Sequence, residues 1–403
     1  MTELRIRTVP ADAAPDLLRH LARPDGVAWL HHGDGFVAWG EAARLEVRGA
    51  DRFEEARAWL SELAARAEVD DAVDAPGTGL VAFGAFSFDE DSPGSTFIVP
   101  AVLVGRRHGR SWMTRIDEPP PAVGETDNGR IRYAGSTLPD VKWLEAVDSV
   151  ARSVRAGEAE KVVLARDVHV WTRGALDPRP VARRLGSRFP ECYTFVIDGL
   201  IGATPELLVR RIGSGLESLV LAGSARRGKT RTEDQELGRR LLLSTKDSAE
   251  HRPAVEQVRR VLEPLTRDLK ATNEPFLLRL ANVQHLATSF VGDLTGGEDA
   301  LEIVAALHPT PAVCGTPTKR AVRMIRELEG MDRGRYAGPV GWMDARGDGE
   351  WGIALRCAQF DGTRGRLFAG AGIVAGSLPE AELEETRIKL RAMQNALDAD
   401  TSP

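Results

Sequence analysis

The feature that most limits the fold of this chain is its supply of short apolar runs, many of them consecutive and separated by only a few turn-forming residues. Such runs occur at 79–86, 97–104, 160–168, 193–197, 201–202, 207–212, 216–222, 351–360 and 367–374. Their length and their Gly, Pro and Asp punctuation favour strands over buried helices. Helical periodicity is expected at 138–155, 233–249, 253–269, 298–307, 317–329 and 379–398. Hairpin-like spacing argues for antiparallel sheets and an α+β architecture, against a doubly wound parallel one.

Composition removes several classes of function. The 403 residues are 42% hydrophobic, and no apolar run approaches the roughly 20 residues that cross a bilayer. With 53 basic and 59 acidic side chains the net charge is −6, and no Lys/Arg block offers a footprint for nucleic acid. Neither a membrane nor a nucleic-acid partner is therefore expected. Met1-Thr2-Glu3-Leu4-Arg5 has no charged segment leading into an apolar one, so a cytoplasmic protein is expected. Cys192, Cys314 and Cys357 lie far apart and read as small buried residues. The stretch 117–130 lacks apolar periodicity and reads as a loop.

Two glycine motifs compete for attention. Residues 223–230, GSARRGKT, match the phosphate-loop pattern and sit between an expected strand and an expected helix. Against a nucleotide site stands the lack of a later buried strand ending in Asp, and a sheet that does not read as parallel. Residues 370–376 echo a dinucleotide fingerprint with no βαβ unit after them.

Carboxylates and lysines carry more chemistry. In the last helix, Ser377 with Glu380 reads as a capping box and Pro379 as a first-turn residue. Glu382, Glu385 and Lys389 then share one helix face. Asp247 and Glu250 repeat the i, i+3 spacing on a second helix. Two such pairs suit Mg²⁺, which takes few carboxylates when water and an anionic substrate complete its shell. Lys161 opens a Val/Leu-rich strand, where burial would ease loss of its proton. Glu206 precedes another apolar strand, where burial would keep it protonated.

Together these segments resemble the chorismate-utilising enzymes, the isochorismate, salicylate and anthranilate synthases. The resemblance rests on 161–166 (KVVLAR), 204–208 (TPELL), 221–227 (LAGSARR), 246–251 (KDSAEH), 285–288 (HLAT) and 308–317 (HPTPAVCGTP), then on 336–342, 349–358 and 370–374, and on Glu385, Thr386 and Lys389. It is strong over 136–403 and weaker over 79–104. Within the family the details look most like isochorismate synthase, since Lys161 stands where water-using members carry a lysine and anthranilate synthases a glutamine.

The resemblance implies one interwoven unit over 1–403, with 1–130 completing the sheets and 136–403 forming the chorismate-binding core. Its fold would be two large antiparallel sheets packed as a sandwich with helices outside. It implies Lys161 as the base, Glu206 as the acid, and Mg²⁺ on Glu250 and Glu385 with Asp247 and Glu382 holding its waters. Tyr336, Arg356 and the backbone at Gly370, Ala371 and Gly372 would take one carboxylate of chorismate. Gly223 and Ser224 would line the side of the other, Ala312 the wall, and Lys389 the carboxylate–metal region. Tyr336 and Leu355 also occur in salicylate synthases. A monomer without a glutaminase subunit is expected, and His285 and His308 read as structural or supporting groups.

Overall fold

The computed structural model describes residues 4–12, 16–116, 118 and 120–398. Residues 1–3, behind the expectation on export, and Asp117 and Pro119 of the expected loop lie outside these. Residues 118 and 120–130 carry no helix or strand, as expected for a loop.

Among the described residues the strands form a 13-stranded and a 10-stranded sheet. Pairing around the cavity described below is antiparallel, and Arg5–Pro10 beside Glu68–Asp71 is a parallel exception at the far edge. Strands from the first third enter both sheets. Val27–His31 pairs with Tyr193–Ile197 in the larger sheet, and Val81–Ala85 pairs with Pro339–Asp344 in the smaller.

Between the sheets lies one apolar cluster that includes Trp29, Phe36 and Phe195 from the larger and Phe83, Trp342 and Trp351 from the smaller. A second cluster lies under the helices Pro178–Arg188 and Pro379–Leu397 and includes Val181, Leu185, Leu390 and Met393. Strands covered on both faces read as unbroken apolar runs rather than alternating ones. Tyr193–Ile197 and Val81–Ala85 are buried at every position for that reason.

Several boundaries differ from expectation. The run 97–104 is two strands, Ser95–Val99 and Val102–Arg107, in different sheets, because Pro100 cannot donate to a ladder. The run 351–360 likewise splits into Gly349–Ile353 in the smaller sheet and Cys357–Asp361 in the larger, and Arg356 at the crossing has φ 48°.

The helices expected at 233–249 and 253–269 are Arg231–Leu243 and Thr245–Leu262. Ser244 makes the break, because its extended backbone lets its hydroxyl accept from Asp247 N at 3.1 Å. Pro253 is inside the second helix, and residues Thr266–Ala271 form a strand. The capping box at Ser377 does not form. Leu378 is the N-cap without a side-chain bond, and Ser377 Oγ accepts from Val374 N at 3.1 Å, while Pro379 does open the helix. Cys192, Cys314 and Cys357 are buried free thiols. No helix among the described residues is long and apolar enough to cross a membrane.

The phosphate-loop match fails structurally. Strand Gly215–Arg226 runs through its first half and pairs antiparallel with Val283–Leu294. Further on, Gly228 N donates to Asp234 Oδ1 at 2.9 Å and Lys229 N to Glu233 Oε2 at 2.7 Å, so helix carboxylates occupy amides that a nucleotide would need. Residues 370–373 end an antiparallel strand, which removes the dinucleotide reading.

Candidate active site

Two chain crossings between the sheets place the site. Leu200–Thr204 in the larger sheet passes through Pro205 and Glu206 into Leu207–Ile212 of the smaller, and 354–356 makes the reverse passage. The crossings are bonded to each other, Ile353 N to Glu206 O at 3.2 Å and Ala203 N to Arg356 O at 3.3 Å. Beside them opens a cavity of about 680 Å³ including its mouth. Its lining includes Glu206, Gly223, Ser224, Glu250, His285, Ala312, Tyr336, Arg356, Gly370, Gly372 and Lys389.

Lys161, at the start of strand Lys161–Trp171, has 0% exposure and lies behind this wall. Its Nζ donates to Glu250 O at 3.1 Å and stands 3.5 Å from Glu250 Oε1. Gly372 decides its access, since a Cβ there would fall 2.2 Å from Glu250 Oε1 and 2.8 Å from Lys161 Cε. Burial is the largest influence on Lys161 and lowers its pKa against the opposing pull of Glu250 and Glu206. Burial also raises Glu250. Both shifts favour the uncharged forms, so the lysine is poised to present a free amine.

Glu206 receives the complementary treatment. Its backbone N donates to Thr204 Oγ1 at 3.2 Å, which fixes the turn, and burial pushes its carboxyl up to about 8 despite the nearby Lys161. At neutral pH it is mostly a protonated acid.

Helices Thr245–Leu262 and Pro379–Leu397 supply the acidic side chains. Gly223, at a register shift in its strand and with φ 78°, lets the first helix approach, because a Cβ there would meet Asp247 Cβ at 3.1 Å. Three carboxyl groups each face a lysine nitrogen: Glu250 that of Lys161, Glu382 that of Lys246 at 2.7 Å, and Glu385 that of Lys389 at 2.6 Å. Ser224 Oγ also donates to Glu385 at 2.8 Å. Burial would raise Glu385, but Lys389 and Ser224 hold it below the usual carboxylate range. Burial raises Asp247, to which Glu385 adds repulsion.

Asp247 and Glu250 each feel the charge of Glu385, and all four side chains are oxygen donors of the kind a hard divalent cation takes. Among the described residues no three His, Cys, Asp or Glu side chains converge as a ready cluster. Asp247, Glu382 and Glu385 are not among the cavity-lining residues. The pairing of Lys246 with Glu382 was not anticipated, although Lys246 is the residue before Asp247.

Basic and hydroxyl groups also line the cavity. Arg356, 8% exposed, donates through Nη2 to His285 Nε2 at 2.8 Å, and among the described residues no carboxylate is its hydrogen-bond partner. Tyr336 stacks on Phe368 with centroids 5.0 Å apart, and its hydroxyl oxygen lies 3.0 Å from where a Gly370 Cβ would be. Lys389 Nζ donates to Gly370 O at 2.9 Å. Ala371 faces away, into the core between the sheets, as strand alternation requires between Gly370 and Gly372. The flanking strand Cys357–Asp361 pairs only up to Leu367, so the end of Arg364–Ile373 borders the cavity instead of another strand.

Of the apolar wall residues, Val163, Pro205, Val313 and Leu355 lie in the segments that carry the resemblance, whereas Phe368 had no sequence signal beyond being apolar. Arg356 was reached through the resemblance, and its place at a crossing between the sheets was not. His285, read as a supporting group, lines the cavity, whereas His308 bonds Phe88 O at 3.0 Å elsewhere.

The family model described as chorismate binding enzyme matches residues 28–116 and 122–398. MenF of Mycobacterium tuberculosis is 37% identical over 391 residues, 93% of this chain and 99% of that one. The isochorismate synthase EntC of Escherichia coli is 36% identical over 321 residues, 78% and 80% of the two chains. The solved structure of MenF, the menaquinone-specific isochorismate synthase from Escherichia coli, superposes with a TM-score of 0.80 at 25% identity, covering 98% of this chain and 95% of that one.

Proposed function

The chain belongs to the chorismate-binding enzyme family, and from that premise we propose that it is an isochorismate synthase, an isomerase that interconverts chorismate and isochorismate. The observation that carries the residue assignment is the opposed pair at the cavity: a buried lysine driven toward its free amine and a buried glutamate held protonated.

Lys161 takes a proton from the water that attacks C2 of the ring, and Glu206 gives its proton to the hydroxyl leaving C4 while the double bonds shift. One water enters and one leaves, so no redox partner is needed. Arg356 and the Tyr336 hydroxyl hold the enolpyruvyl carboxylate, with the backbone at Gly370 to Gly372 beside them. Gly223 and Ser224 border the ring carboxylate, Ala312 closes the wall, and Lys389 sits between the carboxylate and the acidic helices.

Glu250 and Glu385 would hold Mg²⁺ directly, and Asp247 and Glu382 through water. Bound there, the ion supplies positive charge to the ring carboxylate. A monomer acting in the cytoplasm without a glutaminase subunit completes the proposal, because Lys161 calls for water rather than ammonia. Incubation with chorismate and Mg²⁺ followed by chromatography tests it. Isochorismate is expected. Salicylate with pyruvate would reassign the chain to salicylate synthase, and anthranilate formed with ammonia to the amination branch.

A further inference from the structure

Arg356 stands at an exposed decision in the fold. Its backbone has φ 48° in the short passage between the sheets, so no regular strand aims its side chain. Its guanidinium is buried and faces a cavity, and its hydrogen bond from Nη2 ends on His285 Nε2 at 2.8 Å, with both residues under 9% exposed.

Arginine has five N–H donors and no acceptor. The imidazole nitrogen it meets must therefore offer a lone pair, which places the His285 proton on Nδ1. That N–H points at Gly223 O, 3.3 Å away, and the carbonyl can only accept. One hydrogen-bond chain thus runs from the strand carrying Gly223 and Ser224, through His285 on Val283–Leu294, to Arg356. Burial, with Arg356 and Lys389 nearby, also keeps the ring neutral. Both ring nitrogens are engaged, so His285 has neither a proton to give nor a lone pair to accept one.

We infer that His285 is a positioning residue: a neutral Nδ1–H imidazole that aims Arg356 at the substrate carboxylate and ties that subsite to the Gly223 side of the cavity. The inference rests on the chorismate reading of the site and goes beyond it by removing His285 from the acid–base chemistry.

Substitution separates positioning from both acid–base and space-filling roles. His285→Gln places a carbonyl oxygen near the Nε2 position and keeps an acceptor for Arg356, whereas His285→Phe keeps bulk without one. His285→Phe is expected to raise the KM for chorismate by about tenfold or more with kcat changed much less, the pattern of a lost ground-state contact. His285→Gln is expected to stay within about threefold of the parent in KM, and the limbs of the kcat/KM pH profile are expected unchanged.

Equal impairment of the two variants, or loss of a pH limb in His285→Gln, would overturn the inference. Nitrogen-15 NMR of the histidine-labelled parent enzyme, with the 285 resonance assigned from the variants, reads the tautomer without any turnover. An Nδ1–H signature is expected, and an Nε2–H or doubly protonated ring contradicts the inference even if chorismate proves not to be the substrate.

Discussion

The same two sheets enclose two unlike regions. Toward Val27–Trp39 and Val81–Ala85 they close over aromatic side chains, with the Phe36 ring centroid 4.8 Å from that of Trp342 and 5.9 Å from that of Phe83, all fully or almost fully buried. Toward Lys161 and Arg356 they are held apart at the two crossings, and the space between is lined with ionisable groups and glycines. The aromatic region buries apolar area at roughly 25 cal/mol per Å² and supplies stability. The polar region spends part of that stability on desolvated ionisable groups whose shifted proton affinities suit the proposed exchange. Fold and activity should therefore separate under mutation along this line.

The largest separation is expected for the acid and the base. Lys161→Ala and Glu206→Ala should each lower kcat by about 10²- to 10⁴-fold, the range of general acid–base contributions, while remaining folded. Phe36→Ala should do the reverse, costing about 3–5 kcal/mol in denaturant unfolding with little change in kcat at a temperature where it is still native. Steady-state kinetics beside equilibrium unfolding on the three variants would break the comparison if Phe36→Ala lost turnover as Lys161→Ala did.

Next in size is the buried pair Arg333–Glu329, which lies behind the cavity wall at Val163 and Val313. Arg333 donates to Glu329 Oε2 at 2.9 Å, to Val313 O at 2.8 Å and to Val163 O at 2.9 Å, and Glu329 Oε1 accepts from Ala165 N at 2.7 Å. Removing Arg333 alone strands a buried carboxylate and should cost about 3–5 kcal/mol, whereas Arg333→Met with Glu329→Leu should recover most of it. Urea unfolding of the single and double variants checks this, and an equally unstable double variant would contradict it.

A smaller effect sharpens the assignment within the site. With Glu206 raised to about 8, the parent kcat/KM should fall as pH rises through about 8, because the acid form is lost. Its folded value lies above the unfolded one, so the folded state binds the extra proton between the two, and stability should decline as pH rises across that window. Glu206→Gln should remove this decline, seen as a melting temperature less sensitive to pH between about 5 and 8. A parent and variant with parallel stability curves would show that Glu206 is not held protonated.

The polar region was the more legible in sequence. Lys161 and Glu206 announced themselves as charges next to apolar runs, and the i, i+3 carboxylates stayed on their helix faces. Ser244 was missed because Pro253 is the stronger breaker by sequence, yet a mid-helix proline was accommodated while a serine able to cap Asp247 ended the preceding helix. The crossings at Pro100 and 354–356 were hidden because apolar strand residues continue on both sides of each, so one interrupting residue did not mark a change of sheet. The pairing of first-third strands with Tyr193–Ile197 and Pro339–Asp344 is a long-range choice, set by packing on both faces rather than by any local pattern.

The central claim, that Lys161 and Glu206 exchange water for hydroxyl on one ring, is tested most directly in oxygen-18 water. Chorismate turned over by the parent enzyme with Mg²⁺ should give isochorismate carrying one solvent oxygen at C2 by mass spectrometry, and Lys161→Ala should give almost none in the same time. Isochorismate formed without label, or at an undiminished rate by Lys161→Ala, would contradict the account.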